Sequence, residues 1–215
     1  MTNNPPAVAR PELSTEILNL IIDGDYKPGD RLPETELAER LGVSRSPVRV
    51  ALRSLEKTGA VTIKSNRGAR VTAYSRQDVD DIYQARAVLE PLVASLSMPH
   101  LSEEDVAALE NLASAIDAEI RESSQTKHIA DLNNQFHRML LSRCSNEYLK
   151  EAAYRLMIPL VVNRTFKQYS TSELQRSSRH HYEIIDAVKN NDSVWLRSIL
   201  AAHIRFGSYS SLKPN

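Results

Sequence analysis

Residues 33–71 read PETELAERLGVSRSPVRVALRSLEKTGAVTIKSNRGARV. Pro33 to Leu41 predicts a short helix. Proline suits a first-turn position, where its missing N–H has no intrahelical acceptor to lose, and Glu34 and Glu36 suit the positive end of the helix dipole. Gly42-Val43 predicts a tight turn. Ser44 predicts the N-cap of a second helix running to about Lys57, with Pro47 tolerated in its first turn. After Gly59 the pattern changes to two short β-rich runs, 60–63 and 69–72, joined by a hairpin tip, Lys64-Ser65-Asn66-Arg67-Gly68. Helix, turn, helix and β wing is the outline of a winged helix-turn-helix DNA-binding unit.

The charge pattern agrees. From Arg40 to Arg70 there are eight Lys or Arg and one acid, Glu56, so this segment carries +7 in a chain of net charge zero. A basic block on a helix and a wing tip is the electrostatic footprint of a phosphate-binding surface. Arg45, Arg49 and Arg53 recur every four residues and share one stripe of the second helix. Val48, Leu52 and Leu55 form a separate apolar stripe that can pack inward.

With 215 residues, 41% hydrophobic and 25% charged, the chain has ordinary globular composition for one or two domains. No stretch approaches the ~20 apolar residues of a membrane span, and MTNNPPAVARPE has no signal-peptide pattern. Cytoplasmic residence is the expectation. The single cysteine, Cys144, excludes an intrachain disulfide and reads as a small core filler. Six glycines argue for helices over a large sheet.

Taken in order, residues 1–10 predict a flexible N-terminal arm and 11–74 the winged helix-turn-helix domain, opening with a helix over Pro11–Asp23. Residues 75–215 predict an all-helical domain. There the period gives six helices, at about 76–98, 103–122, 126–143, 146–168, 172–190 and 193–209, with kinks at Pro91 and Pro159. The fold class is mainly α, with one small β wing.

Three of the six histidines stand out by position. Asn133 and His137 lie four apart on one helix face, beside the stripe Ile129, Leu132, Phe136 and Leu140. His181 precedes Ile184, Ile185 and Val188 on a core-facing stripe. His203 follows Leu196, Ile199 and Leu200 in the same way. Three inward imidazoles and an amide oxygen could surround one divalent cation, and could equally be hydrogen-bonded core residues. Neutral imidazole suits zinc, nickel or copper. His100 and His128, near predicted helix ends, read as surface residues.

The phrase LPETELAERLGVSRSPVRVALRSLEKTGAV with the Gly68 wing resembles the signature of the GntR family of bacterial transcription regulators. That resemblance implies base or backbone contacts from Ser44, Arg45 and Arg49, and minor-groove or phosphate contacts from Arg67 and Gly68. Some members have Arg early in the preceding helix, where this chain has Thr35. The rest of the chain resembles the FCD effector-binding domain of the FadR subfamily, in its six-helix, VanR-type form. The matching phrases are Arg86-Ala87-Val88-Leu89-Glu90, Phe136-His137 before Ser145-Asn146, His181-Tyr182-Glu183-Ile184, and His203. In that family a D-x-x-x-H pair and two later histidines bind a metal, and a small carboxylate effector completes the coordination. Carried over, the ligands are Asn133, His137, His181 and His203, with Asn133 standing where Asp is usual. The spacing to His203 selects His181 over the adjacent His180. The resemblance also implies an effector-gripping role for Arg86, whose alternative is a surface salt bridge with Glu90. Arg164 is a second candidate for the effector.

The expected function is a homodimeric, ligand-responsive regulator, a repressor in most of that family, bound to a palindromic double-stranded operator. Its helical domain would bind a divalent ion, zinc before nickel, and a small carboxylate. The alternatives are a metal-dependent hydrolase built on the three histidines and a DNA-binding regulator without a metal. No nucleophile motif or Gly-rich phosphate loop supports the enzyme.

Overall fold

The structure, a computed structural model, describes residues 11–122 and 125–211. The expected arm at 1–10 lies outside the described residues. The chain divides into two compact units, Met1–Tyr74 and Ser75–Asn215.

The first unit holds α1 (Pro11–Asp23), α2 (Glu34–Arg40), α3 (Arg45–Lys57) and an antiparallel hairpin of β1 (Val61–Lys64) and β2 (Gly68–Val71). Leu13, Ile17 and Ile21 of α1 are buried with Leu37, Val48, Leu52 and Leu55. The α2–α3 turn follows from one glycine. Gly42 sits at φ +63°, a left-handed conformation that costs glycine little. There Gly42 N–H donates to the Glu39 carbonyl at 3.3 Å and Val43 N–H to the Ala38 carbonyl at 3.0 Å, satisfying carbonyls the helix end would orphan. The same closure at Gly59 sends Ala60 N–H back to the Leu55 carbonyl, so β1 begins at Val61, one residue later than the β-rich run suggests. At the wing tip Asn66 and Gly68 take φ +60° and +72°.

Every regular element among the described residues of the second unit is a helix. Its elements are α4 (Arg76–Ser97), a 3₁₀ turn (Met98–His100), α5 (Glu103–Glu122), α6 (Thr126–Leu141), α7 (Glu147–Leu156), α8 (Pro159–Gln168), α9 (Thr171–Lys189) and α10 (Ser193–Ser211). Seven α-helices therefore stand where the periodicity gives six, because the expected helix at 146–168 is two. Proline disfavours helical backbone in the residue before it. Ile158 accordingly takes ψ 117°, and Pro159 starts α8 at a first-turn position. Pro91 does not interrupt α4.

Helices α4 and α5 open on capping boxes. Ser75 and Asp78 form a reciprocal capping box, as do Ser102 and Asp105. The bundle packs α4 along α10, α5 along α6 and α9, and α6 along α8. Ile116, Ile129, Leu132, Val162, Phe166 and Leu174 fill one core cluster, and Cys144 is buried. No helix among the described residues is long and apolar enough to cross a membrane.

Candidate nucleic-acid interface and buried histidine cluster

On α3 the two stripes separate as their spacing requires. Val48, Ala51, Leu52 and Leu55 are buried, whereas Arg45, Arg49 and Arg53 are exposed. Ser44 stands at the N-cap position with extended backbone, but its side chain makes no capping bond. Its exposed hydroxyl therefore faces solvent rather than the N3 amide that a capping serine would satisfy. Arg67 and Gly68 are exposed at the wing, where Arg67 N–H closes the turn onto the Lys64 carbonyl at 3.0 Å. Glu34, Arg49, Arg53, Lys64, Asn66 and Gly68 line one groove between α3 and the wing.

Two cations of the basic block are engaged within the winged unit. Arg40 pairs with Asp25, and Arg70 Nη1 donates to the Gly29 carbonyl at 2.7 Å. Glu34 accepts from Arg49 Nε at 3.0 Å and from Arg49 Nη2 at 2.9 Å, and Arg45 Nη2 reaches it at 3.4 Å. The Arg49 hydrogen bonds hold the Glu34 carboxyl below the usual range, against a smaller opposing effect of burial. A charge count starting at Arg40 misses this carboxylate, which lies six residues earlier on α2.

In the second unit the structure brings Asn133 and His137 of α6, His181 of α9 and His203 of α10 together, all buried. One ring nitrogen from each histidine lies within 4.8 Å of the others. His137 Nε2 and His203 Nε2 are 3.1 Å apart, and His181 Nε2 is 3.1 Å from Asn133 Oδ1. His137 Nδ1 meets Glu90 Oε2 at 2.7 Å, and Glu90 Oε1 accepts from Arg86 Nε at 2.6 Å. Burial would push the Glu90 carboxyl up, but the charges of Arg86 and then His137 prevail and hold it at about 2.

The proton positions follow. An ionised Glu90 can only accept, so His137 carries a proton on Nδ1 and donates it to that carboxylate. His137 Nε2 and His203 Nε2 share one hydrogen between them, and His181 donates from Nε2 to the Asn133 amide oxygen. The Nδ1 atoms of His181 and His203 remain buried without a hydrogen-bond partner. Burial, and then the neighbouring histidines, push both imidazoles well below their ordinary pKa, so they are neutral at pH 7.

The donor set fits a divalent cation. Neutral imidazoles and an amide oxygen are ligands for zinc or nickel. A tetrahedral zinc ion held at ~2.0–2.1 Å places neighbouring ligand nitrogens roughly 3.3 Å apart, close to the 3.1 Å between His137 Nε2 and His203 Nε2. Glu90 supplies the outer carboxylate that orients a ligating histidine.

A cavity of about 20 Å³, water-sized, is lined by Tyr83, Arg86, Asn133, His137, Tyr169 and His203. Tyr83 is fixed by a 2.8 Å bond from its hydroxyl to Thr165 Oγ1, and a Cβ at Gly207 would come within 2.8 Å of its ring. Arg86 is therefore not on the surface, as the salt-bridge alternative supposed. It is buried, paired with Glu90, and beside the cavity. Arg164 is half-buried on α8 and does not line the cavity. His180 is half-buried outside the cluster, and His100 and His128 are exposed, the latter paired with Glu119. Sequence reasoning gave Glu90 no role toward His137. The i, i+4 spacing to Arg86 was the only local sign, because His137 lies 47 residues away.

Residues 11–71 match the family described as bacterial regulatory proteins, gntR family, and residues 81–206 match the FCD domain. The chain is 30% identical over 188 residues to the uncharacterized HTH-type transcriptional regulator YdhC of Bacillus subtilis (strain 168), covering 87% of this chain and 84% of that protein. It is 24% identical to the HTH-type transcriptional regulator McbR of Escherichia coli (strain K12), over 88% of this chain and 86% of the relative. Among solved structures it shares the fold of E. coli McbR/YncC, with a TM-score of 0.76 over 90% of this chain and 92% of that one, at 24% identity. A GntR regulator from Rhodococcus sp. RHA1 matches with a TM-score of 0.71, over 94% and 96%, at 22% identity. These proteins are transcription regulators, not enzymes, and the hydrolase alternative ends here.

Proposed function

Because the chain belongs to the gntR family of bacterial regulatory proteins and carries an FCD domain, we propose that it is a cytoplasmic, homodimeric repressor that releases a palindromic operator when a small carboxylate binds its helical unit. Ser44, Arg45, Arg49 and Arg53 of α3 and Arg67 and Gly68 of the wing would meet the duplex. Dimerisation has a candidate surface in the apolar outer face of α4. Val88 is 76% exposed there, in line with Ala85, Leu92 and Leu96. A two-fold dimer matches a palindrome.

The observation that carries the effector reading is the continuous buried chain Arg86–Glu90–His137–His203 beside a water-sized cavity. Asn133, His137, His181 and His203 would hold a divalent ion. Once bound, the ion supplies a positive charge that an anionic ligand can complete. Arg86 supplies the planar fork that fits a carboxylate, and Glu90 keeps His137 Nε2 turned toward the site. By linkage, an effector that weakens operator binding is itself bound more weakly by the DNA-bound protein.

The test is retardation of the protein's own promoter DNA, repeated across a panel of small organic acids ranked by thermal shift. Relief by one acid, lost in Arg86→Lys with DNA binding intact, supports the reading. An Arg86→Lys protein that still responds to the acid overturns it.

A regulator without a metal is the second reading. It draws on Asn133, neutral where the family has Asp, and on the hydrogen bonds that close among Asn133, His137, His181 and His203 without an ion. The metal content of purified protein separates the two.

A further inference from the structure

Arg49 does not sit on α3 as a free cation. Its Nε and one edge of Nη2 are both spent on Glu34, which reaches across from the first turn of α2. A guanidinium has five N–H donors in one plane. Glu34 takes Nε–H and one Nη2–H. The two Nη1 hydrogens and the outer Nη2 hydrogen remain, and Nη1 with the outer Nη2–H makes an end-on fork. That fork is the one that reads guanine O6 and N7 in the major groove. Glu34 is one-quarter exposed and Arg49 about one-half, so the carboxylate lies behind and the guanidinium in front. Arg45 reaches the same carboxylate only at 3.4 Å, and through one nitrogen.

We infer that Glu34 is a specificity-determining positioning residue: it locks the Arg49 side chain by one edge and presents the other edge as a preformed guanine reader. The inference rests on the DNA-binding reading of α3. The same contact restrains non-specific binding. A carboxylate beside Arg45 and Arg49 opposes their capture by phosphate, and phosphate contacts supply most of the sequence-independent affinity. Glu34 thereby trades indiscriminate attraction for base readout.

The experiment uses the full chain. Wild type, Glu34→Gln and Glu34→Ala each select from a duplex library randomised across its centre. The selected pools are sequenced, and binding to unselected duplex is measured across a salt series. In both variants the preference for one guanine per half-site should fall by about tenfold, the order of a good bidentate contact. Affinity for unselected duplex should rise, with a salt dependence steeper by about 0.9 in log–log slope for each freed arginine. Unchanged guanine preference in both variants overturns the inference, including the case where only non-specific affinity rises. Arg49→Ala, run alongside, keeps two failures apart. If Arg49→Ala loses the guanine and Glu34→Gln does not, Glu34 is no positioning residue. If neither loses it, α3 is not the reading helix. Melting curves of both Glu34 variants should match wild type, which removes misfolding as the cause.

Discussion

Each unit contains an arginine–glutamate pair of nearly the same length, in opposite surroundings. Arg49 and Glu34 meet at 2.9 Å with side chains 53% and 25% exposed. Arg86 and Glu90 meet at 2.6 Å with 3% and 0% exposed. Exposed pairs contribute little to stability, because water screens them and ordering two long side chains costs entropy. Such a pair leaves part of the guanidinium open to solvent, where a surface that docks on phosphates and bases needs it. Removing one partner of a buried pair strands a charge out of water. The same two side-chain types thus make a solvent-facing contact in the winged unit and a sealed one in the helical unit.

The largest effect should come from breaking the buried pair. Glu90→Ala is expected to cost the helical unit about 3–5 kcal/mol, since it strands Arg86 and removes the acceptor of His137. Denaturant unfolding followed through Trp195, the single tryptophan and a residue of α10, reads this unit alone. Arg86→Met combined with Glu90→Leu should cost less than Glu90→Ala, because no charge remains buried. A Glu90→Ala protein as stable as wild type would end the contrast between the pairs.

Acid should act next, and in the helical unit. His181 and His203 are held below the ordinary histidine pKa in the folded state. Below about pH 6.5 the unfolded chain therefore binds more protons than the folded one, and stability falls as pH falls. Two such groups give a slope of up to roughly 2.7 kcal/mol per pH unit below about 6.5. Glu90, depressed to about 2, adds its own loss only once pH drops below the ordinary glutamate range. The measurement is the same Trp195 transition in chelator-treated protein at several pH values between 5 and 8. A midpoint that does not move across pH 6 would mean the two imidazoles are not held neutral by burial.

At the exposed pair the sign of importance reverses. Arg49→Ala should leave stability within about 0.5 kcal/mol of wild type while weakening binding to selected duplex by about 1–3 kcal/mol. Arg67→Ala should weaken all sequences alike and flatten the salt dependence by about 0.9. Titration of labelled duplex across salt separates these outcomes, and an Arg49→Ala protein with full affinity would remove α3 from the interface.

The smallest effect should come from Asn133→Asp. An added carboxylate offsets part of a divalent charge, so the ion should bind more tightly and an anionic effector more weakly, each by about 1 kcal/mol, the low end of ordinary coupling between sites. Paired calorimetric titrations, metal first and effector second, decide it. Tighter binding of both ligands by the Asp variant would contradict the electrostatic account.

What the sequence alone determined about this protein is local. The glycine that closes α2, the wing tip and the 3.6-residue stripes each depend on groups a few residues apart. Chain connectivity alone brings such groups together, so the elements were legible to within a residue or two. The inward aim of His137, His181 and His203 was legible for the same reason, because a helix face is fixed by its own spacing. Where the sequence misled, the competing effect was also short-range. Pro159 made two helices of one, because proline disfavours helical backbone in the residue before it and Ile158 turns extended, whereas α4 runs on through Pro91.

Only the tertiary structure decided which charges meet. Glu34 and Arg49 are 15 residues apart, Glu90 and His137 are 47 apart, and His137 and His203 are 66 apart. No periodicity connects such positions. Electrostatic pairing depends on distance in space and on how much water is excluded. Both quantities exist only after α2 has packed on α3, and after α4, α6 and α10 have closed around one buried point.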